Sequence, residues 1–138
     1  MDEQKNDSAD KKNVLVVDDD DNLRTVLIDK LTASGFSASG AVDGEEGLGK
    51  AFALHPDLIL LDLIMPKMDG LTTLAKLRED EWGKKVKVIV LTVLENPEYL
   101  ATAMQKGIFG YFIKTNYSLD NMIKQVEDAL RSPGKSAS

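Results

Sequence analysis

Residues 57–62 read DLILLD, with four consecutive apolar side chains between two carboxylates. An apolar run of this length without alternation is typical of a β-strand that is buried on both faces. Similar runs stand on either side of it along the chain, NVLVVD at residues 13–18 and VKVIVLT at residues 86–92. Strands of this kind predict a parallel sheet that carries helices on both faces.

Two weaker runs bring the number of candidate strands to five. Residues 36–41 (FSASGA) alternate only weakly between apolar and polar side chains, which favours an edge strand. Residues 109–114 (FGYFIK) form the last candidate.

Helix-forming patterns fill the intervals between these runs. Their apolar residues recur three or four positions apart and therefore share one face of a helix. The second interval carries Gly47 and Gly49, which predict a weak helix. The recurring residues are Leu23, Val26, Leu27 and Leu31 in the first helix, Leu71, Leu74, Ala75 and Leu77 in the third, and Leu119, Met122, Ile123, Val126 and Leu130 in the last. The predicted N-caps are Asp43, Asn96 (before Pro97) and Ser118, and the predicted C-terminal ends are Gly35 and Gly107.

Strand and helix therefore alternate five times with short connections. This pattern predicts a doubly wound α/β fold, because each right-handed crossover places a helix on a face of the parallel sheet. In sheets of this type, binding sites form beyond the carboxyl ends of the strands. The polar residues at those ends are therefore the candidate functional residues.

The ends of four candidate strands carry charged or hydroxyl side chains. Asp18 and Asp19 close the first strand, Asp62 closes the third, and Thr92 and Lys114 end the fourth and fifth. Three carboxylates in one crevice repel one another, so they stay ionised at neutral pH only if positive charge compensates them. Carboxylate oxygens without His or Cys favour a hard cation, above all Mg²⁺. Lys114 and Thr92 add the positive charge and the hydroxyl donor that phosphoryl oxygens need.

Composition narrows the class of protein. The 138 residues suit a single domain, and the lack of Cys excludes disulfides and thiolate chemistry. The net charge of −6 argues against direct binding to nucleic acid.

No apolar run is long enough to span a membrane, and the N-terminus lacks an apolar signal segment, so we expect a cytoplasmic protein without membrane contact. Residues 1–12 and 132–138 are polar, and we expect both to be disordered on either side of a domain at residues 13–131.

These elements together resemble the receiver domains of response regulators in two-component signalling, which are CheY-like. The resemblance covers about residues 13–131 and rests on VLVVDDD, DLILLDLIMPKMDG, VIVLT and GYFIK, which follow in the family's order and at its spacing. It implies a flavodoxin-like five-stranded sheet with the strand order 2-1-3-4-5 and five helices. It also implies a signalling switch that accepts a phosphoryl group and slowly dephosphorylates itself, rather than a conventional enzyme.

The resemblance assigns roles to the residues at the strand ends. Asp62 resembles the phosphoacceptor, which attacks the phosphohistidine of a sensor histidine kinase or phosphotransfer protein. Asp19, Asp62 and the backbone carbonyl of Ile64 would bind Mg²⁺, the implied cofactor, and Asp18 would orient metal-bound water. Lys114 would pair with a phosphoryl oxygen.

A coupled movement of two side chains is the implied switch. The hydroxyl of Thr92 would swing toward the phosphoryl group, and Tyr111 would turn inward to fill the vacated space. This movement would remodel the face formed by the fourth helix, fifth strand and fifth helix (α4-β5-α5), which would control a downstream protein or output domain or form a homodimer. An aromatic residue beside a strand core is otherwise a packing residue, so both interpretations of Tyr111 stay open.

Two departures from the family keep a second function open, that of a degenerate receiver acting as a constitutive protein-interaction module. The family has proline after its lysine, joined by a cis bond, whereas Thr115 follows Lys114 here. Because a cis bond before another residue costs about 2.5–4 kcal/mol, we expect this bond to be trans, or cis with visible strain. Val93 stands where the family prefers a small residue, and we expect it to narrow access to the acceptor.

In the family, the positions of Ile64 and Leu94 flank the path of the water that hydrolyses the phosphoaspartate. Both side chains are apolar here and cannot orient water, so we expect a long-lived phosphorylated state. Ile64 also stands where an Asp-x-Asp phosphohydrolase carries its second acid, which argues against that class of enzyme. Asp20 and Asp21 are interpreted as the cap and first turn of the first helix.

Overall fold

A computed structural model describes residues 11–93, 97–115 and 118–131. We expect disorder in residues 1–12 and 132–138. These segments lie outside the described residues, except for Lys11 and Lys12. The proposed N-cap Asn96 and the proposed water-path residue Leu94 lie outside them as well.

Strands and helices alternate along the whole described chain, as the apolar pattern predicts. In order they are β1 (Asn13–Val17), α1 (Asp21–Ala33), β2 (Ser37–Ala41), α2 (Gly44–Leu54), β3 (Leu58–Asp62), α3 (Gly70–Arg78), β4 (Lys87–Thr92), α4 (Pro97–Gln105), β5 (Gly110–Ile113) and α5 (Leu119–Arg131). Several strands begin or end one residue inside the predicted runs. None of the helices in the described ranges is long and apolar enough to cross a membrane.

The strands form one parallel sheet in the order β2-β1-β3-β4-β5. This confirms the doubly wound fold, the order 2-1-3-4-5 and the edge position of the weakly alternating strand β2. In this register Asp62 pairs with Leu91, and Thr92 pairs with Ile113. The carboxyl ends of β1, β3, β4 and β5 therefore reach the same edge of the sheet.

A hydrophobic core covers each face of the sheet. Alternate residues of β3 serve the two cores, Leu58 and Leu60 on the side of α1 and α5, and Ile59 and Leu61 on the opposite side. This explains why the run at residues 57–62 is apolar without alternation, since both of its faces are buried.

Helix α1 buries a narrower stripe than the sequence predicts. Leu23, Leu27 and Leu31 are buried at steps of four residues. Val26 is 40% exposed, so its assignment to the core face is wrong. Its side chain lies one position before Leu27 and is therefore rotated by about 100° from the stripe.

Asp43 starts one helix, and Gly35 and Gly107 follow the ends of two others, as predicted. Asp43 accepts the backbone N–H of Glu46 at the start of α2. Gly35 and Gly107 adopt positive φ angles of +101° and +86° just after α1 and α4. A residue without Cβ takes this left-handed conformation at little cost, which fits helix ends.

Candidate functional site

The polar residues that end the strands meet at one edge of the sheet. Asp18 directly follows β1, and Asp62 and Thr92 are the last residues of β3 and β4. Lys114 directly follows β5, and its backbone N–H donates to the carbonyl of Thr92 over 2.7 Å. The geometry therefore brings together the residues that the sequence analysis selected.

Three carboxylates form the centre of this site. One oxygen from each of Asp18, Asp19 and Asp62 lies within 4.8 Å of the others. Asp18 is fully buried and Asp62 is 2% exposed, whereas Asp19 faces solvent. The cluster thus has two buried acids at its base and an exposed acid at its rim.

Lys114 places one amine against both buried acids. Its Nζ lies 3.2 Å from Asp18 Oδ2 and 3.2 Å from Asp62 Oδ2. The contact with Asp18 Oδ2 lacks hydrogen-bond geometry, so this buried oxygen has no hydrogen-bond donor in the described part of the chain. One lysine therefore compensates two buried carboxylates only partly.

Burial dominates the electrostatics of the site. Burial and the neighbouring charge of Asp18 raise the pKa of Asp62 to about 7, against the opposing effects of Lys114 and the N–H of Ile64. Burial also raises the pKa of Asp18, although a hydrogen bond from the Asp20 N–H and the charge of Lys114 oppose it. Burial alone would lower the pKa of Lys114, but the two carboxylates outweigh burial and raise it. The pair of acids is therefore short of positive charge.

The site fits a small hard cation. Its clustered donors are carboxylate oxygens, with no His or Cys in the acidic cluster. The Oδ2 of Asp18 accepts no hydrogen bond within the described residues and is a buried acceptor that a cation would satisfy. Oxygen donors with charge to compensate are the ligands that Mg²⁺ prefers.

The acidic run at residues 18–21 serves two purposes. Its first two residues belong to the carboxylate cluster, and its last two begin helix α1. Asp20 is the N-cap of α1 and accepts two backbone N–H groups of the first turn, which confirms its interpretation as a cap. Asp21 lies in that turn and pairs with Arg24 at 2.5 Å. The same Arg24 donates to the backbone carbonyl of Asp18 over 2.7 Å. Sequence reasoning missed this arginine, which ties α1 to the site.

The loop after β3 is held close to Asp62 by Gly70. A Cβ at this position would lie 2.2 Å from the carbonyl oxygen of Asp62 and 2.6 Å from the Cα of Leu63. The φ of Gly70 is not among the positive values, so a left-handed backbone is not what this position requires. Close approach of two backbones is instead what requires glycine here.

The proposed switch and water-path residues within the described ranges are Thr92, Tyr111 and Ile64. Thr92 is buried, and its hydroxyl donates to the carbonyl of the half-buried Val93 over 3.4 Å. Ile64 is 44% exposed beside the acceptor, and its N–H donates to Asp62 Oδ1 over 3.2 Å. Tyr111 on the edge strand β5 is 42% exposed.

The bond between Lys114 and Thr115 is trans. This confirms the expectation drawn from the missing proline. Lys114 nonetheless reaches both buried acids, so the trans bond is compatible with the ion pairs of the site.

His55 and Trp82 lie far from this edge. Their rings stack at a centroid distance of 4.2 Å near the start of β3. His55 is exposed and caps the C-terminal end of α2.

Comparison with known proteins gives a consistent assignment. A family model described as the response regulator receiver domain matches residues 14–127. The chain is 34% identical over 118 residues to the DNA-binding dual master transcriptional regulator RpaA of Synechocystis. The aligned region covers 86% of this chain and 48% of that protein. It is 37% identical over 118 residues to the nitrate/nitrite response regulator protein NarL of Escherichia coli, which covers 84% of this chain and 53% of that protein. The chain thus spans about half the length of these curated relatives.

Solved structures share the fold over nearly their full length. The chemotaxis protein CheY4 of Vibrio cholerae matches with a TM-score of 0.79 and 27% identity, over 86% of this chain and 98% of that chain. The receiver domain of the Francisella response regulator 1452 matches with a TM-score of 0.79 and 29% identity, over 88% of this chain and 98% of that chain.

Proposed function

Because the chain belongs to the family of response regulator receiver domains of two-component signalling, we propose that it is a phosphorylation-dependent switch whose phosphoacceptor is Asp62. The observation that carries this proposal is the position of the Lys114 amine, 3.2 Å from the carboxylates of both Asp18 and Asp62. A nucleophilic carboxylate beside a fixed cation and two further acids is the arrangement that phosphoryl transfer needs.

The chemistry starts at the carboxylate of Asp62. One of its oxygens attacks the phosphorus of a phosphohistidine on a sensor histidine kinase or phosphotransfer protein. An O–P bond forms and the N–P bond breaks, and the departing imidazole keeps the electron pair and takes up a proton. The N–H of Ile64 orients the acceptor through its bond to Asp62 Oδ1, while Lys114 stands against Oδ2, where it can meet the incoming phosphoryl oxygens.

Asp18, Asp19, Asp62 and the backbone carbonyl of Ile64 are the groups that would hold Mg²⁺. The ion supplies positive charge that offsets the carboxylates and the phosphoryl oxygens when it is bound. Asp18 and Asp62 are fixed by burial, and the exposed Asp19 leaves the rim accessible to the ion and to the donor.

The proposal is tested by incubating the protein with acetyl phosphate and measuring its intact mass. We expect a phosphoryl adduct in buffer with Mg²⁺ and at least about 100-fold slower labelling after chelation, because electrostatic stabilisation of this kind typically contributes such factors. A folded protein that stays unlabelled in Mg²⁺ would contradict the proposal and favour the constitutive interaction module instead.

Asp19→Asn is expected to weaken Mg²⁺ binding by about tenfold or more, since it removes one anionic donor from the cluster. Isothermal titration calorimetry with Mg²⁺ measures this affinity. Asp20→Asn is the matched control, because it alters the neighbouring charge and Asn caps a helix as well as Asp does. Equal affinity in the two variants would remove Asp19 from the metal site.

The output of the switch is proposed to pass through α4-β5-α5. Thr92 would turn its hydroxyl toward the phosphorylated Asp62, and the exposed Tyr111 would turn inward on β5. The altered face would then control a downstream protein or output domain, or pair with a second copy. The curated relatives named above are described as a transcriptional regulator and a response regulator of about twice this length, which supports an output domain as the natural partner.

Ile64→Asn is expected to shorten the lifetime of the phosphorylated state several-fold. Ile64 is 44% exposed and lies two residues after the acceptor, and an amide at this position would orient a water for attack on the phosphorus. The decay of the adduct after removal of acetyl phosphate measures the lifetime. Ile64→Val, which stays apolar, is the control, and an unchanged lifetime in Ile64→Asn would count against this water path.

A further inference from the structure

A basic groove lies at the end of the sheet opposite Asp62. It is a cavity of about 460 Å³ bordered by the start of β4 and the segments that follow α3 and α4. The groove and the acidic site lie at opposite ends of strand β4, which runs from Lys87 to Thr92. At the rise per residue of a β-strand, this length separates them by about 17 Å. The basic residues that line it are Arg78, Lys84, Lys85, Lys87 and Lys106.

The charge of the groove contrasts with that of the chain. The chain carries a net charge of −6 although these five residues contribute +5, so the remaining residues carry −11. Within the described ranges the lining of the groove contains no acidic side chain. Glu81, which pairs with Lys84 at 3.4 Å, is highly exposed and provides only a surface ion pair.

Arg78 holds the walls of the groove in place. Its guanidinium donates to the backbone carbonyls of Gly83 and Val86 on one wall, over 2.6 and 2.9 Å. On the other wall it donates to the carbonyls of Lys106 and Gly107. Arg78 donates its N–H groups to backbone carbonyls, so the exposed ammonium groups of Lys85 and Lys106 are the positive charges that a ligand can contact.

The floor of the groove is apolar. Val86 is 7% exposed and Val88 is fully buried, so the half-buried Ile108 and Phe109 are the apolar residues of the lining that a ligand can contact. A ligand that fits this lining carries negative charges for the rim and apolar groups for the floor.

We propose that the basic groove binds a short acidic segment of a partner protein in which carboxylate and apolar side chains alternate. A short segment contacts only the positive groove, whereas an extended polyanion such as nucleic acid also meets the strongly negative remainder of the surface. The site is distinct from the acidic cluster and does not depend on phosphorylation of Asp62.

The test is a titration of the ¹⁵N-labelled protein with an octapeptide of alternating Glu and Leu, followed by NMR. Amide shifts are expected in residues 84–88 and 105–109, without shifts at Asp18, Asp62 or Lys114. Lys85→Glu/Lys106→Glu is expected to weaken binding by about tenfold or more, because two attractive charges become repulsive. The control Lys76→Glu/Lys124→Glu changes the net charge equally on exposed helix surfaces and should leave the affinity within about twofold.

Four results would overturn the proposal. Equal weakening in both double variants would mean that the peptide responds to net charge alone. Shifts elsewhere, or no binding, would remove the groove as a peptide site. Tighter binding of a single-stranded oligonucleotide to the same residues would assign the groove to nucleic acid.

Discussion

The Asp62→Asn variant is expected to lose the phosphoryl adduct completely and yet to unfold at a higher temperature than the wild type in metal-free buffer at neutral pH. The amide cannot act as the nucleophile, so labelling disappears. The same change removes one of two buried carboxylates that share a single lysine. Relief of this repulsion and desolvation is expected to raise the free energy of unfolding by roughly 1–3 kcal/mol.

The gain in stability should depend on pH in a defined direction. The pKa of Asp62 is raised from 3.8 to about 7 in the folded state, so the folded protein binds more protons than the unfolded chain between these values. Stability of the wild type therefore falls as the pH rises from about 4 to about 7. The advantage of Asp62→Asn should be small at pH 4 and should reach its full size above pH 7, with Mg²⁺ reducing it.

Thermal unfolding and intact mass, measured on the same sample, test both parts of this prediction. Asp69→Asn is the control, because it changes a nearby acid that caps α3 and Asn preserves that cap. It should label like the wild type. An Asp62→Asn protein that is less stable than the wild type at pH 7.5 without metal would contradict the charge balance described for the site.

Lys114→Met is expected to lower both stability and phosphorylation. It leaves two buried carboxylates without their common cation, and removing one partner of a buried ion pair typically costs about 3–5 kcal/mol. Labelling by acetyl phosphate should slow by about 100-fold, since the amine no longer meets the phosphoryl oxygens. Mg²⁺ should restore more stability to this variant than to the wild type, because it replaces part of the missing charge.

Denaturant unfolding with and without Mg²⁺ measures the stability of Lys114→Met. Lys67→Met is the matched control, since Lys67 is 68% exposed in its side chain and only approaches Asp43 at 3.7 Å. Its free energy of unfolding should stay within about 0.5 kcal/mol of the wild type. Equal stability of Lys114→Met and Lys67→Met in metal-free buffer would show that the buried acids do not need the lysine.

The central part of the fold could be predicted because its signal is local. Strands β1, β3 and β4 are buried on both faces, so their apolar runs stand out without any knowledge of their neighbours. The alternation of elements then predicts a parallel sheet, and parallel strands place Asp18, Asp62, Thr92 and Lys114 at one edge. The strand order came from the resemblance to receiver domains and not from the apolar pattern.

Hydrogen bonds from single arginine side chains to backbone carbonyls could not be predicted. Arg78 donates to Gly107, 29 residues away, and Arg24 reaches the carbonyl of Asp18 from within α1. Such bonds to backbone carbonyls leave no periodicity in the sequence. The role of Gly70 was also hidden, because the close approach of its backbone to that of Asp62 exists only after folding.

Trapping of the phosphorylated residue with borohydride tests most directly whether Asp62 is the phosphoacceptor. Reduction of an aspartyl phosphate yields homoserine, and the tryptic peptide of residues 51–67 contains both Asp57 and Asp62 as an internal comparison. Homoserine is expected at position 62 alone, formed only after treatment with acetyl phosphate and Mg²⁺. Homoserine at position 57 or elsewhere, or none in a protein that carries the phosphoryl adduct, would contradict this assignment.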